Sequence, residues 1–403
     1  MTVSPRVKLL VGLATATALL GSAVLAHGLR LASEGTDLEI LARYARAALD
    51  GEIPYRDFFF EYPPGALVAI VGPGLGSPTV HAYATRFAVG MLIVLGLTVL
   101  TCAGVLAACR GTRDQLLRTL GLVALSPLLL GPIALKRFDA LPALLTVVAL
   151  LLVVRRSFVP SAFVLGIATA VKLYPLVLLP PVVVAALGRS RRAAVEATVS
   201  FVAGCAVLVL PFLVVSPGGV EESVRSQLDR HLQFESSLAS VALLGNAVAG
   251  VSVGLVSEAH SYALGGSRGT LLGVLTTVAL LAGLALVWWR LPRLVLTGDG
   301  LVLAFAASIA VVVAFARILS PQYLLWLVPL VPLVRGSVGR LATGLLAGAC
   351  VLTNIWFPGP YGEVVSSLDR GSILLLSGRN ILLVALAAVL VASAWRRPRG
   401  EAE

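Results

Sequence analysis

The sequence is a succession of apolar runs of helical length, joined by links whose character alternates along the chain. The runs cover 7–27, 83–108, 119–134, 140–154, 158–171, 174–188, 194–215, 269–289, 296–315, 322–334, 341–356 and 380–395. A bilayer crossing takes about 20 such residues, so the pattern predicts about twelve transmembrane helices. Barrel strands would alternate in polarity, and these runs do not. Some runs are too short or too broken for simple crossings. The stretch 158–188 has to go out and back with VKLYP at its turn, and LPPV and SPQY put proline in or beside apolar runs. Backbone groups freed at such breaks survive at membrane depth only inside protein or against a cavity, so a cavity near one face is expected.

Composition supports this reading. Of 403 residues, 58% are apolar and 13% charged, against about a quarter charged in soluble domains. That excludes an ordinary soluble protein and a disordered one. The net charge of +11 is read as topology before it is read as nucleic-acid binding. Links at Arg6/Lys8, Arg110/Arg113/Arg118, Arg155/Arg156, Arg189/Arg191/Arg192, Arg290/Arg293, Arg335/Arg340 and Arg396/Arg397/Arg399 hold 17 of the 31 basic residues and five of the 20 acids. Their balance is +12, which leaves −1 for all other positions. The positive-inside rule makes the basic set cytoplasmic, along with both termini and the tail 396–403. The long segments 28–82, 216–268 and 357–379 then face outward. The run 7–27 reads as a retained first helix, because its apolar stretch exceeds the usual 7 to 15 residues of a signal peptide. With no internal repeat, the expectation is one integral domain over 1–403, an all-α polytopic membrane protein in the plasma membrane.

The ionisable groups away from the basic links gather on the outer side, and such groups near a membrane mark function. In the first outer loop, Thr36 and Glu39 form a capping-box pattern that starts an amphipathic helix over 37–50. Leu38, Leu41, Ala45 and Leu49 share its apolar face. Asp37 sits in the first turn, where the helix dipole favours a carboxylate and a catalytic role is equally open. Next comes PYRDFFFEYPPGAL, whose prolines forbid a continuous helix. It places Tyr55, Arg56, Asp57 and Glu61 on an extended aromatic stretch, suited either to an interface or to a sugar or phosphate. KRFDALP adds Lys136, Arg137 and Asp139 at a helix junction, where snorkelling is the plain alternative for the cations. Lys172 in VKLYP lies in an apolar stretch at a helix break, so an anionic partner is expected. LDRHLQFESS contributes Arg230, His231, Gln233 and Glu235; FARILSPQYLLW contributes Arg317, Gln322 and Tyr323.

GEIPYRDFFFEYPPGAL, preceded by Asp37 and followed in order by KLYPLVLLP, DRHLQFESS and RILSPQYLLW, resembles glycosyltransferase family 87 over roughly residues 30–335. The resemblance implies the GT-C fold with an extracytoplasmic active site. It implies that Asp37 is the catalytic base, that the donor is a sugar on a polyprenyl phosphate, and that the acceptor is a cell-envelope glycolipid or glycan. A hexose is expected, mannose first, although KRFDALP departs from the Gly-Gln or Gly-Asn pair of some mannose-transferring members. The donor phosphate would meet Lys172 first, then Arg230, Arg317, Lys136 and Arg137. His27, His81, His231 and His260 are scattered and no D-x-D triplet occurs, so no metal or other cofactor is expected. Besides donor and acceptor, the partners expected are membrane lipids, with no nucleic acid. Two other classes are alternatives for such a chain, a flippase or transporter of lipid-linked sugars and a non-catalytic assembly subunit. Transporters hold their sites near the midplane and often repeat their halves, and neither feature is present here.

Overall fold

The computed structural model describes residue 12 and residues 37–258 and 261–396. The predicted first span at 7–27, the Thr36 cap, His27, His260 and the tail beyond 396 lie outside these residues. Within them the chain is helical apart from one two-stranded hairpin. Five helices are long and apolar enough to cross a membrane: Val80–Ala108, Arg191–Val215, Gly266–Trp289, Gly336–Trp356 and Arg370–Arg396.

The chain begins with α1 (Asp37–Leu49), which buries Leu38, Leu41 and Ala45 and turns Arg43 and Arg46 outward, as its periodicity predicts. Leu49, on the same face, is left exposed. Helix α2 (Val80–Ala108) starts where the Thr79 hydroxyl accepts from Ala82 N at 3.1 Å. The next helix, α3 (Arg113–Leu130), begins earlier than the apolar run because Thr112 and Gln115 form a capping box. A short turn, α4 (Ile133–Lys136), leads to α5 (Ala140–Val154) and α6 (Phe158–Val171). At about 1.5 Å per residue, the 14 residues of α6 reach only part-way across a bilayer. Beyond Lys172 the chain makes a 3-10 turn, Tyr174–Leu178, and resumes as α7 (Leu179–Leu187).

Helix α8 (Arg191–Val215) packs closely against α6. A Cβ on Gly166 would stand 2.2 Å from Phe201 O, and one on Gly204 would stand 2.3 Å from Phe163 O. Small residues at such crossings let backbones meet where no hydrophobic force separates helix from lipid. Helix α9 (Pro217–Leu228), α10 (Ala239–Ala249) and the hairpin β1 (Leu255–Glu258) with β2 (Ser261–Leu264) give structure to what the sequence reads only as a long loop. Helix α11 (Gly266–Trp289) follows, and then α12 (Gly298–Ala314), buried at every residue from Gly300 to Val311. A helix apolar all round belongs at the centre, and α12 is the hub of the core. The broken run Pro321–Leu333, α13 (Gly336–Trp356), α14 (Gly359–Ser367) and α15 (Arg370–Arg396) complete the chain. Helix α15 starts ten residues before its predicted span. Ser377, Arg379 and Asn380 interrupt the apolar run, yet all three are buried.

The arginine-rich links meet at one end of these helices. Arg335 donates to Arg110 O at 3.0 Å and pairs with Asp299, while Arg118 donates to Pro332 O and Arg156 to Leu296 O. Helix α5 is flanked by Asp139 at its start and Arg155 at its end, so the polar loops gather at the other end.

Candidate active site

At that other end a cavity of about 980 Å³ opens between the first loop, the breaks after α4 and α6, helix α9 and segment 318–326. Its wall includes eleven of the residues singled out from the sequence: Asp37, Tyr55, Glu61, Lys136, Arg137, Lys172, Arg230, Gln233, Glu235, Gln322 and Tyr323. Each reaches it for a local reason.

The stretch 58–62 buries Phe60 between Phe58 and Tyr62, while Glu61 and Tyr62 line the cavity. Phe60 stands edge-on to Tyr44, Tyr55 and Tyr62, and Tyr62 edge-on to Phe138. Helix α9 grips this stretch. Ser216 Oγ donates to Tyr55 O at 3.0 Å, Ser223 Oγ to Phe60 O at 2.8 Å, and Gln227 Nε2 to Glu61 O at 3.3 Å. The approach requires Gly219, where a Cβ would stand 2.0 Å from Tyr55 O. Tyr55 adopts a φ of 70° and is held there by its hydroxyl, which donates to Tyr62 O.

Lys172 ends α6 in an extended conformation that turns its side chain toward Asp139. Its ammonium donates to both carboxylate oxygens, at 2.9 and 3.1 Å, and Trp326 Nε1 donates to Asp139 Oδ1 at 2.9 Å. Asp139 is 1% exposed and stands behind the cavity wall. Trp326 is stacked between Tyr174 and Tyr323, with ring centroids 3.9 and 4.0 Å apart. Lys172 also lies over the faces of Phe138, Tyr323 and Trp326. One ammonium is thus fixed at the cavity wall by a carboxylate and aromatic faces. Asp37 pairs with Arg137, which brings the first helix onto the junction after α4.

Glu235 is 2% exposed. Gln233 Nε2 donates to its Oε2 at 2.5 Å, and burial pushes its carboxyl up to about 8 despite Arg379, Arg137 and Arg230 nearby. Arg230 is steered by Ser261 Oγ, 2.6 Å from its Nη2.

Besides Asp139, four of the sequence candidates stand outside the cavity. Arg56 and Asp57 pair with each other at 2.8 Å on the exposed turn, where the Arg56 hydrogen bond holds the Asp57 carboxyl down at about 2. His231 is exposed and paired with Glu258 of β1. Arg317 is exposed, its guanidinium beside Gly273 of α11, and only its carbonyl serves the site by accepting from Gln233 N at 2.9 Å. In each case the side chain has a partner or solvent away from the cavity.

The model of glycosyltransferase family 87 matches residues 59–321, well over half of the sequence. The chain belongs to glycosyltransferase family 87. No curated protein matches it. It is therefore a membrane glycosyltransferase by family and by its apolar helices. The matched region of this family 87 member holds Lys136, Arg137, Asp139, Lys172, Arg230, Gln233 and Glu235, while Asp37 precedes it. Sequence reasoning missed Trp326 and Tyr174, whose stacking needs tertiary contact. It also missed Arg379 and Asn380, which were legible as a polar pair within an apolar run.

Proposed function

We propose that this glycosyltransferase carries a hexose, mannose first, from a polyprenyl phosphate to a hydroxyl of a cell-envelope glycolipid or glycan, with inversion at the anomeric carbon. The acceptor oxygen forms a bond to that carbon as the bond to the phosphate oxygen breaks. The lipid phosphate leaves with the electron pair, and the acceptor proton passes to Asp37. A base in hydrogen-bond reach is worth about 10²–10⁴ in rate. Charge grows on the departing phosphate, and fixed cations at that place lower the barrier without reorganising. Lys172 takes this role, with Arg137, Lys136 and Arg230 around the phosphate. The entering phosphate competes with Asp37 for Arg137, so donor binding frees the base it will use.

The observation that carries the reading is the cavity wall itself, where the carboxylate of Asp37, with Glu61 and Glu235, stands among the cations Lys136, Arg137, Lys172 and Arg230 at the end of the helices away from the arginine-rich links. That end is extracytoplasmic in the proposed topology of twelve spans, one integral domain, a GT-C arrangement and cytoplasmic termini in the plasma membrane. A nucleotide sugar would then be on the opposite side, which favours a lipid-borne donor. The test is to incubate membranes containing the protein with polyprenyl-phosphate mannose, glucose and galactose and to analyse the glycolipids formed. Transfer from at least one is expected, and transfer only from a nucleotide sugar contradicts the donor assignment.

A further inference from the structure

Helix α15 carries two polar residues that have no access to solvent. Arg379 is 0% exposed and Asn380 2%. Arg379 Nη2 donates to the carbonyl of Glu235 at 2.7 Å, and its Nε and Nη2 donate to Asn380 Oδ1 at 3.0 and 2.8 Å. Asn380 Nδ2 lies within hydrogen-bonding distance of three oxygens, Glu235 O at 3.0 Å, Ser236 O at 3.2 Å and Ser240 Oγ at 2.7 Å. The guanidinium also stands over the Trp356 ring. Neither side chain lines the cavity. A charge buried in an apolar helix is costly, and an apolar pair would pack there without that cost. What the pair provides is a fixed backbone at Glu235 and Ser236.

The side chain placed by that backbone is incompletely partnered. Glu235 Oε2 accepts from Gln233, but Glu235 Oε1 and Gln233 Oε1 are buried oxygens with no hydrogen-bond partner. Both residues line the cavity. Buried polar atoms of this kind call for hydrogen-bond partners. An ionised phosphate brings only acceptors and suits the cations of the wall, whereas a sugar brings hydroxyls.

We propose that Glu235 and Gln233 hydrogen-bond to hydroxyls of the transferred sugar, which both donate and accept, and thereby discriminate among sugars. Arg379 and Asn380 are the positioning residues that set where this polar pair stands. The inference rests on reading the cavity as the glycosyl-transfer site, and it holds whichever lipid carries the sugar. It also gives a part in the site to two residues outside the family-matched segment 59–321.

The experiment measures kcat/KM for whichever of polyprenyl-phosphate mannose, glucose and galactose is transferred, and for its four monodeoxy forms. In the wild type, removal of one particular hydroxyl lowers kcat/KM by about 10- to 100-fold, the value of a hydrogen bond to a buried polar or charged group. Glu235→Ala brings that ratio close to one and leaves the other positions unchanged, while Glu235→Gln, which keeps a carbonyl acceptor, retains part of it. Asn380→Ala shrinks the ratio at the same position, and adding it to Glu235→Ala changes the ratio no further. Arg379→Lys reads the same ratio should Asn380→Ala fail to accumulate in membranes. A ratio unaffected by Glu235→Ala overturns the inference. So does a loss in Asn380→Ala and Arg379→Lys that falls equally on every donor, which is what a merely structural role gives. A wild type inert on all three donors refutes the donor class instead, and the ratio is then read on polyprenyl-diphosphate sugars and their deoxy forms.

Discussion

Neutralising one half of the Lys172–Asp139 pair tests the wall of the cavity most sharply. Asp139 is 1% exposed and its two oxygens receive Lys172 and Trp326, whereas the Lys172 side chain is 15% exposed. Lys172→Met leaves a buried carboxylate with a single N–H donor, and breaking a buried pair from one side costs about 3–5 kcal/mol. Asp139→Asn falls at the lower end of that range. The ammonium it strands keeps some access to the cavity and three aromatic faces within 4.9 to 5.9 Å, and the amide oxygen still accepts from Trp326. The double variant carries neither charge, and its cost drops below that of Lys172→Met, with a coupling of about 2 kcal/mol or more. Thermal midpoints of the detergent-solubilised protein give the order directly: wild type highest, then the double variant and Asp139→Asn, with Lys172→Met lowest. A double variant that melts below both singles refutes the reasoning, because the two charges would then be contributing independently.

Three further outcomes follow from the geometry. Glu235 has a folded-state pKa near 8 against an ordinary 4.5, so its contribution to stability is full below about pH 4.5 and is lost as pH rises through 8; thermal midpoints between pH 5 and 9 fall in the wild type and flatten in Glu235→Gln. Gly219→Ala puts a Cβ 2.0 Å from Tyr55 O, pushing α9 off the first loop, and sugar transfer drops at least tenfold with the protein still in the membrane. Arg56→Ala and Asp57→Ala open a solvent-exposed pair outside the cavity, and both variants keep wild-type transfer rates and thermal midpoints.

The apolar runs announce most of the helices because burial and lipid ask the same thing of a side chain. Helices α2, α5, α6 and α8 sit close to their predicted spans. The breaks at VKLYP and SPQY were legible too, through proline and a lone lysine. The region 216–268 was not, since its helices and hairpin are held by contacts distant in sequence, such as Phe234 N to Tyr262 O and Leu264 N to Leu232 O. Residue type pointed to Lys172, Arg137 and Glu235, but not to which of the loop ions face inward. Arg56, Asp57, His231 and Arg317 have the same chemistry as the cavity residues and differ only in the direction their backbone gives them. The Arg379–Asn380 pair shows the converse: its polarity cut short the predicted last span, although tertiary hydrogen bonds hold both residues within the helix, Arg379 through Nε and Nη2 alone.

The central claim is that Asp37 accepts the proton as sugar passes from lipid phosphate to an acceptor in this cavity. Its most direct test is Asp37→Asn in membranes supplied with the polyprenyl-phosphate sugar that the wild type uses, with glycolipid product measured alongside protein level and donor binding. Transfer falls by about 10²-fold or more while donor binding persists. Wild-type transfer by Asp37→Asn contradicts the claim and moves the base to Glu61 or another carboxylate of the site.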